Sequence, residues 1–566
     1  MSGRKFEREG PETSLIQLGP LLRGFCTVGL MHPSGHRKMM ILRRPNQTVI
    51  VHEISAGLAW LGIFCSCAVT VLIGSQTVLN ESCLTGSSYY GGESLRIGNE
   101  VQLLADDYVI EDRWKLEREV GSVIKHLRNP VLVQDKPWAG QIGMISSVFY
   151  DDKLGKFRMY YDSFNLTNYF NPREGAPSYA VAYAESADGF NWIKPALEGF
   201  PYGNYPRTNI LNSGPNGKRA GSANVFLNPD QSDPARRFMI LYLGGGTRLA
   251  YSADGLHWNT LKEPLIRYHS DFNNHLLYVP EHKLWYMYVR PFVRSNGRGD
   301  LPEGPRHTGR RLALTTSPDL RNWSPPRIVL YPDERDEPDY NGVTVFRRHG
   351  LFIGLYSQMA QEHGSSEQDV YLATSRDGIH WQRTEERKPF LSRGSAGSFD
   401  HGYVAVQSAP VEIGEEMYLY YHGRPEGESR FYQESAAGVC RFRKDRFIGL
   451  RAGDLTGYLL TKELVLEGSK LVLNCSSLPR VYRTRDQDGI RVAIFAAPDY
   501  GQDGGAIKET PIPGFTLEDC DVATTDSTTY TVTWKGKSDL SMLKGKKVYL
   551  RFQMRAATLY SFQVAP

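Results

Sequence analysis

Four segments of this chain are variations on one phrase: S-A-D-G-F-N-W from Ser186, S-A-D-G-L-H-W from Ser252, S-P-D-L-R-N-W from Ser317 and S-R-D-G-I-H-W from Ser375. Their starts are 66, 65 and 58 residues apart. A repeat of that period is one supersecondary unit copied about or along an axis. Each copy follows a run with strand character, such as A-V-A-Y-A-E or R-L-A-L-T-T. Ser-x-Asp-Gly makes a tight turn, with the Asp carboxylate accepting backbone N–H groups and Gly supplying positive φ. The Trp then buries a large ring between neighbouring strands. Leu320 stands where the third copy would have Gly, so that turn is expected to differ. An eroded fifth copy is read at Arg443–Phe447. The phrases are structural turns, and their use is to set the register of each unit.

A hairpin grammar recurs ahead of them. S-S-V-F-Y-D-D-K-L-G-K-F-R-M-Y-Y begins at Ser146, and comparable pairs of apolar runs begin at Ala223, His275, Val343 and Val404. Helical periodicity is scarce and aromatic residues make up 11% of the chain. The expected fold is therefore all-β: a five-bladed β-propeller over residues 100–455, followed by a β-sandwich over 464–566. The strand near Val101 is expected to close the ring by joining the last blade. With 566 residues there is room for such a core and a second domain, and a net charge of +4 carries no nucleic-acid signature.

Ile54 to Asn80 holds no charged residue, and Arg37, Lys38, Arg43 and Arg44 precede it. Residues 1–85 read as a targeting segment and linker, with 56–79 as signal or membrane anchor and the remainder exported to a periplasmic or extracellular space. Met39 and Met40 are alternative starts that would give a signal of conventional length. A buried core helix is the competing reading of the same stretch. Cys475 and Cys520 share the last domain and could pair in an oxidising compartment. No CxxC or HExxH occurs, so no metal ligands are assigned.

The innermost strands of a propeller line a central funnel, so chemistry is sought just before the first strand of each unit. Acids recur there in three consecutive units: Asp271 in H-S-D-F-N-N-H, Glu337 and Asp339 in D-E-P-D-Y-N-G, and Asp400 in S-F-D-H-G-Y. Two carboxylates about one pocket suit glycosidic cleavage, one protonating the leaving oxygen and one activating water or attacking the anomeric carbon. Either Glu337 or Asp339 is assigned as acid and Asp271 as base or nucleophile, while Asp400 with His401 orients the sugar or shifts a pKa, and these roles are interchangeable. Asn273, Asn274 and Asn341 are assigned to hydroxyl binding, with Arg290 and Trp138 also on the substrate. The alternative for each Asp is a turn cap at a blade entry. Six Arg between Arg290 and Arg311 suggest a rim for carboxylated or sulfated glycans, or else a solvated loop.

The S-x-D-G-x-x-W phrase, the opening L-L-A-D-D-Y-V-I at Leu103 and the closing V-Y-L-R-F-Q-M-R-A-A-T-L-Y-S-F-Q together resemble the five-bladed glycoside hydrolases of families 32, 43, 62 and 68. The chain looks most like bacterial proteins described as glycosyl hydrolase family 32 N-terminal-like, over residues 100–566. The resemblance implies a carbohydrate substrate, a propeller active site with two Asp and one Glu, and no organic cofactor; some of these propellers hold calcium, which no Asp/Asn cluster here demands. The fructosidase motif W-M-N-D-P-N-G is absent, and the first unit carries no acid at its entry. A non-catalytic glycan-binding propeller is the alternative; a phosphorolytic relative and a protein scaffold are weaker ones.

Overall fold

The computed structural model describes residues 27–31, 39–44, 47–51, 94–171, 177–212, 220–268, 270–271, 274–291, 309–337, 339–360, 367–384, 386–427, 434–477, 488–496 and 510–566. Thr27–Met31, Met39–Arg44 and Gln47–Val51 form a small antiparallel sheet in a unit of its own, Met1–Leu84. Among the described residues no helix is long and apolar enough to cross a membrane, and the apolar stretch from Ile54 to Asn80 lies outside them.

Among the described residues of the second unit, Thr85–Pro566, the regular secondary structure is almost wholly strand. Sheet I consists of Gln141–Asp151, Lys156–Phe164, Tyr179–Ser186 and Ile210–Asn212. Sheet II follows with Gly221–Leu227, Phe238–Leu243, Thr247–Ser252 and Asn259–Thr260. Sheet III has His275–Val279, Leu284–Val289, Leu312–Ser317 and Arg327–Leu330. Sheet IV has Asp339–Arg348, Leu351–Ala360, Glu367–Ser375 and Gln382–Arg383. Sheet V pairs Tyr403–Ala405, Glu416–Arg424 and Ala436–Arg443, and its outer strand is Ile124–Lys125, supplied from before sheet I. The sheets are antiparallel within themselves, and each begins with the strand the hairpin grammar located.

Neighbouring sheets pack through apolar clusters. Tyr160 and Val181 of sheet I meet Ile240 and Tyr242 of sheet II, and Met239 and Leu249 of sheet II meet Met287 and Val289 of sheet III. Tyr288 of sheet III packs with Phe352 and Tyr356 of sheet IV, and Leu355 and Leu372 pack with Leu419 and Tyr421 of sheet V. Tyr420 and Val439 of sheet V then return to Ile145 and Met159 of sheet I. A cavity of about 400 Å3 is lined by the leading segments of all five, including Val148, Val225, Leu276, Val345 and Ser408. Hydrogen bonds stitch these segments together: the Val148 N–H donates to Ser408 Oγ (2.8 Å), the Val225 N–H to Ser147 Oγ (2.8 Å) and the Leu276 N–H to Asn224 Oδ1 (3.2 Å).

The Trp-bearing turns lie at the ends of the third strands, away from the strand entries. Asp188 Oδ1 accepts the N–H groups of Phe190 and Asn191 (2.9 and 2.8 Å), and Gly189 has φ +79°. Leu320 does not change the turn as expected: it adopts φ +61°, and Asp319 caps Arg321 and Asn322 in the same way. The fifth copy does differ. Asp445 itself has positive φ, and its carboxylate is taken by Arg348 (2.5 Å) and His349 (3.0 Å) of sheet IV.

The C-terminal part contains two six-stranded sheets. Sheet A contains Glu117–Val120, Ile448–Ala452, Lys470–Ser476, Asp526–Thr531 and Ala557–Ala565, with Gln102–Leu103 on the last. Sheet B contains Leu95–Arg96, Ile110–Trp114, Gly457–Thr461, Leu464–Val465 and Lys547–Arg555, with Gly489–Ala496 on the last. Leu471, Leu559 and Phe562 of sheet A meet Leu459, Val492, Leu550 and Phe552 of sheet B in one buried core. This pairing moves the expected boundaries. The strand after Val101 joins the C-terminal sheets, not sheet V, and residues 448–461 belong with them too. Cys475 and Cys520 are buried free thiols, not a bridge. Cys520 Sγ is taken up instead by the Val492 N–H at 3.2 Å.

Candidate active site

At the strand-entry end, one polar chain crosses three sheets. Asp271 precedes the first strand of sheet III, and its side chain keeps 22% exposure. Its carboxylate pairs with Arg290, which leaves the second strand of the same sheet and is almost fully buried. The Arg290 guanidinium also donates to the main-chain and side-chain oxygens of Asn341, in the first strand of sheet IV. Asn341 Nδ2 donates in turn to Gln368 Oε1 (2.8 Å) and to the Tyr403 hydroxyl (2.9 Å) of sheet V. Arg310 Nη1 reaches Asn341 Oδ1 at 3.1 Å. An amide that accepts two guanidinium bonds and donates two others has its orientation set.

The other expected acids sit differently. Asp339 is fully buried, and its Oδ1 caps the Gly309 and Arg310 N–H groups (2.9 and 3.1 Å) with Arg311 at 3.6 Å. It holds the end of the segment entering sheet III's third strand, which is the turn-cap alternative rather than an acid in contact with solvent. Asp400 is also buried and is bound by Lys125 (2.5 Å), Ser398 (2.7 Å) and Tyr421 (2.9 Å). Burial alone would raise its pKa; Lys125, Ser398 and Tyr421 together bring it below the ordinary carboxylate value. Its partner Lys125 lies on the outermost strand of sheet V. Glu337 is half-buried over sheet IV: its N–H donates to Gln358 Oε1 (2.8 Å), and its charge contributes, after burial and Asp369, to the raised pKa of Tyr371.

Among the expected sugar ligands, Asn341 and Arg290 belong to the polar chain. Asn274 is buried and bridges Ser270 (2.5 Å) to Thr247 of sheet II (3.3 Å), which makes it a sheet-to-sheet tie. His401 is exposed, with Nδ1 3.3 Å from the Gly394 carbonyl oxygen. The Trp138 indole N–H donates to Asn209 Oδ1 (2.8 Å), and its ring lies against Tyr205; both partners are in the segment that precedes the outer strand of sheet I. Asn273 and most of the Arg-rich insertion (292–308) lie outside the described residues.

No family model matches the chain, and no curated protein matches it. Solved structures similar to it include an N-acetylgalactosamine deacetylase from F. plautii in complex with blood group B trisaccharide, at 15% identity and TM-score 0.37, covering 59% of this chain and 97% of that one. An α-L-arabinofuranosidase from Podospora anserina in complex with cellotriose is similar at 11% identity and TM-score 0.38, covering 57% and 98%. A β-1,2-mannobiose phosphorylase from Listeria innocua matches at 15% identity and TM-score 0.39, covering 57% and 96%. At TM-scores below 0.5 nothing about this chain's chemistry is carried over from them.

Three groups near the first-strand entries were not singled out from the sequence. Gln368 and Tyr403 fix Asn341, and Asp162 takes the Ser222 N–H with both carboxylate oxygens (2.9 and 2.8 Å) at the entry of sheet II. Asp162 and Gln368 lie on second and third strands, outside the segments where acids were sought. Below them His275 is buried beside Asn224 (3.3 Å), and desolvation pulls its pKa down to about 4. Among the described residues no cluster of three or more His, Cys, Asp or Glu is placed to hold a metal ion.

Proposed function

We propose that this chain is an exported glycoside hydrolase acting on a poly- or oligosaccharide at the entry of a five-bladed β-propeller. The propeller comprises sheets I to V, and sheets A and B form a β-sandwich that takes in residues 95–120 and 448–461. The closed succession of apolar contacts from sheet I to sheet V and back, around one cavity, supports the five-bladed reading. The apolar stretch at 56–79, with its basic flank, supports export or anchoring.

The observation that carries the catalytic reading is the Asp271–Arg290–Asn341 chain. Asp271 is the expected acid that is both at the first-strand entries and open to solvent. Its carboxylate pairs with the Arg290 guanidinium, a placement that suits a base or nucleophile. Because Asp339 and Asp400 are buried by structural partners, Glu337 is the remaining choice for the proton donor. A glycan-binding propeller without catalysis is the second reading, favoured by the burial of Asp339 and Asp400. The test is release of reducing sugar from a panel of neutral and uronate-containing polysaccharides by the wild type, Asp271→Asn and Glu337→Gln. Release by the wild type that falls in both variants supports hydrolysis; binding without release in all three supports the second reading.

A further inference from the structure

The outer face of sheet B carries a depression of about 470 Å3 lined by Asp112, Tyr458, Leu460, Leu517 and Arg551. Strand register explains how these residues meet. Leu460 pairs with Asp112 on one side and with Arg551 on the other, so the three form one row across the sheet. Tyr458 occupies the adjacent row on the same face, since alternate residues of a strand point the same way. It pairs with Trp114, which is 53% exposed, and the two rings stack at 6.2 Å and 26°. Leu517 packs with Leu460, Phe495 and Tyr549 and closes the opposite side. The Arg551 guanidinium lies over the Phe495 ring at 4.5 Å.

From this geometry we infer that the outer face of sheet B binds a neutral glycan at a site separate from the propeller funnel. Leu460 and the Tyr458 ring give an apolar floor and an aromatic wall for the C–H face of a pyranose. Trp114 backs Tyr458 and stiffens that wall. Asp112 and Arg551 flank the floor two strand spacings apart, roughly 9–10 Å, one an acceptor and the other a donor for ring hydroxyls. Asp112 has no side-chain hydrogen bond among the described residues, so its acceptor capacity is open to a ligand. The Asp112 carboxylate beside the floor repels a uronate or sulfate, which favours a ligand with no net charge. The volume lies within the usual range for small-ligand sites. The inference stands whether or not the funnel hydrolyses.

The test is affinity electrophoresis of the full-length protein in native gels cast with galactomannan, xyloglucan, laminarin or polygalacturonate. Retardation of the wild type by at least one neutral polysaccharide is expected, with about tenfold weaker retardation for Tyr458→Ala and for Asp112→Asn. Tyr458→Phe keeps the ring and should keep binding, which separates stacking from any effect on folding. Tyr458→Ala and Asp112→Asn should release sugar from a soluble oligosaccharide at the wild-type rate, so loss of this site is distinguishable from loss of hydrolysis at the propeller entry. The inference is overturned if no neutral polysaccharide retards the wild type, if polygalacturonate alone does, or if Tyr458→Ala is retarded equally.

Discussion

The glycine of the repeated turn is selected by the sheet before it. Tyr420 of sheet V donates to the Gly189 carbonyl (2.8 Å), Tyr160 of sheet I to that of Gly255 (3.0 Å) and Tyr288 of sheet III to that of Gly378 (2.8 Å). A Cβ on these glycines would come within 2.6–2.8 Å of the same hydroxyls, and each has positive φ. Sheet II offers Leu241 at the corresponding strand position, and there the turn carries Leu320, packed into the same apolar cluster. Losing the Tyr420 hydroxyl in Tyr420→Phe should cost about 1 kcal/mol, and Gly189→Ala roughly 1–3 kcal/mol. Because the phenylalanine also makes room for the new methyl, the double variant should cost less than the sum by at least about 0.5 kcal/mol. Equilibrium urea unfolding of the four proteins measures this; strict additivity would break the link.

At the level of elements, much was legible because local signals repeat. Alternating apolar hairpins and the Ser-x-Asp-Gly-x-x-Trp turns located the leading three strands of each of the five sheets. The outer strand of sheet V was not legible. It is two residues long, Ile124–Lys125, and it joins Cys440 and Arg441 across more than 300 residues of chain. Nothing local in the sequence states such a pairing, and the same is true of Gln102–Leu103 on Ala557–Ala565. The site was half legible for a related reason. The first-strand entries do hold Asp271 and Asn341, joined through Arg290, but whether an acid caps a turn or fastens a strand depends on partners from other segments, as with Asp400 and Lys125. That pair fastens the outer strand. Lys125→Met should leave Asp400 buried without its cation and cost roughly 3 kcal/mol, with Asp400→Asn in the same chain recovering part of it in thermal melts. Since the pKa of Asp400 is lowered in the fold, its contribution is present above about pH 4 and is lost as pH falls through the lowered value.

Within the second unit, the leading segments of five sheets line one cavity, and its lining includes a buried histidine. His275 titrates near pH 4 in the fold against an ordinary 6.5. The unfolded chain therefore binds the proton first on acidification, so the stabilising effect of neutral His275 is complete above pH 6.5 and is lost as pH falls toward 4. By linkage this amounts to roughly 3 kcal/mol. His275→Gln should flatten that part of the stability-against-pH curve, and an unchanged slope between pH 6.5 and 4 would contradict the assignment. The same convergence concentrates polar groups at the entry end, where the Asp271–Arg290–Asn341 chain spans sheets III and IV and reaches sheet V through Tyr403. The most direct measurement is the rate of reducing-sugar release from the best polysaccharide found for the wild type, repeated with Asp271→Asn at matched fold stability. A fall of about 10²–10⁴-fold is predicted for loss of the base or nucleophile. An Asp271→Asn enzyme that releases sugar at the wild-type rate would contradict the account.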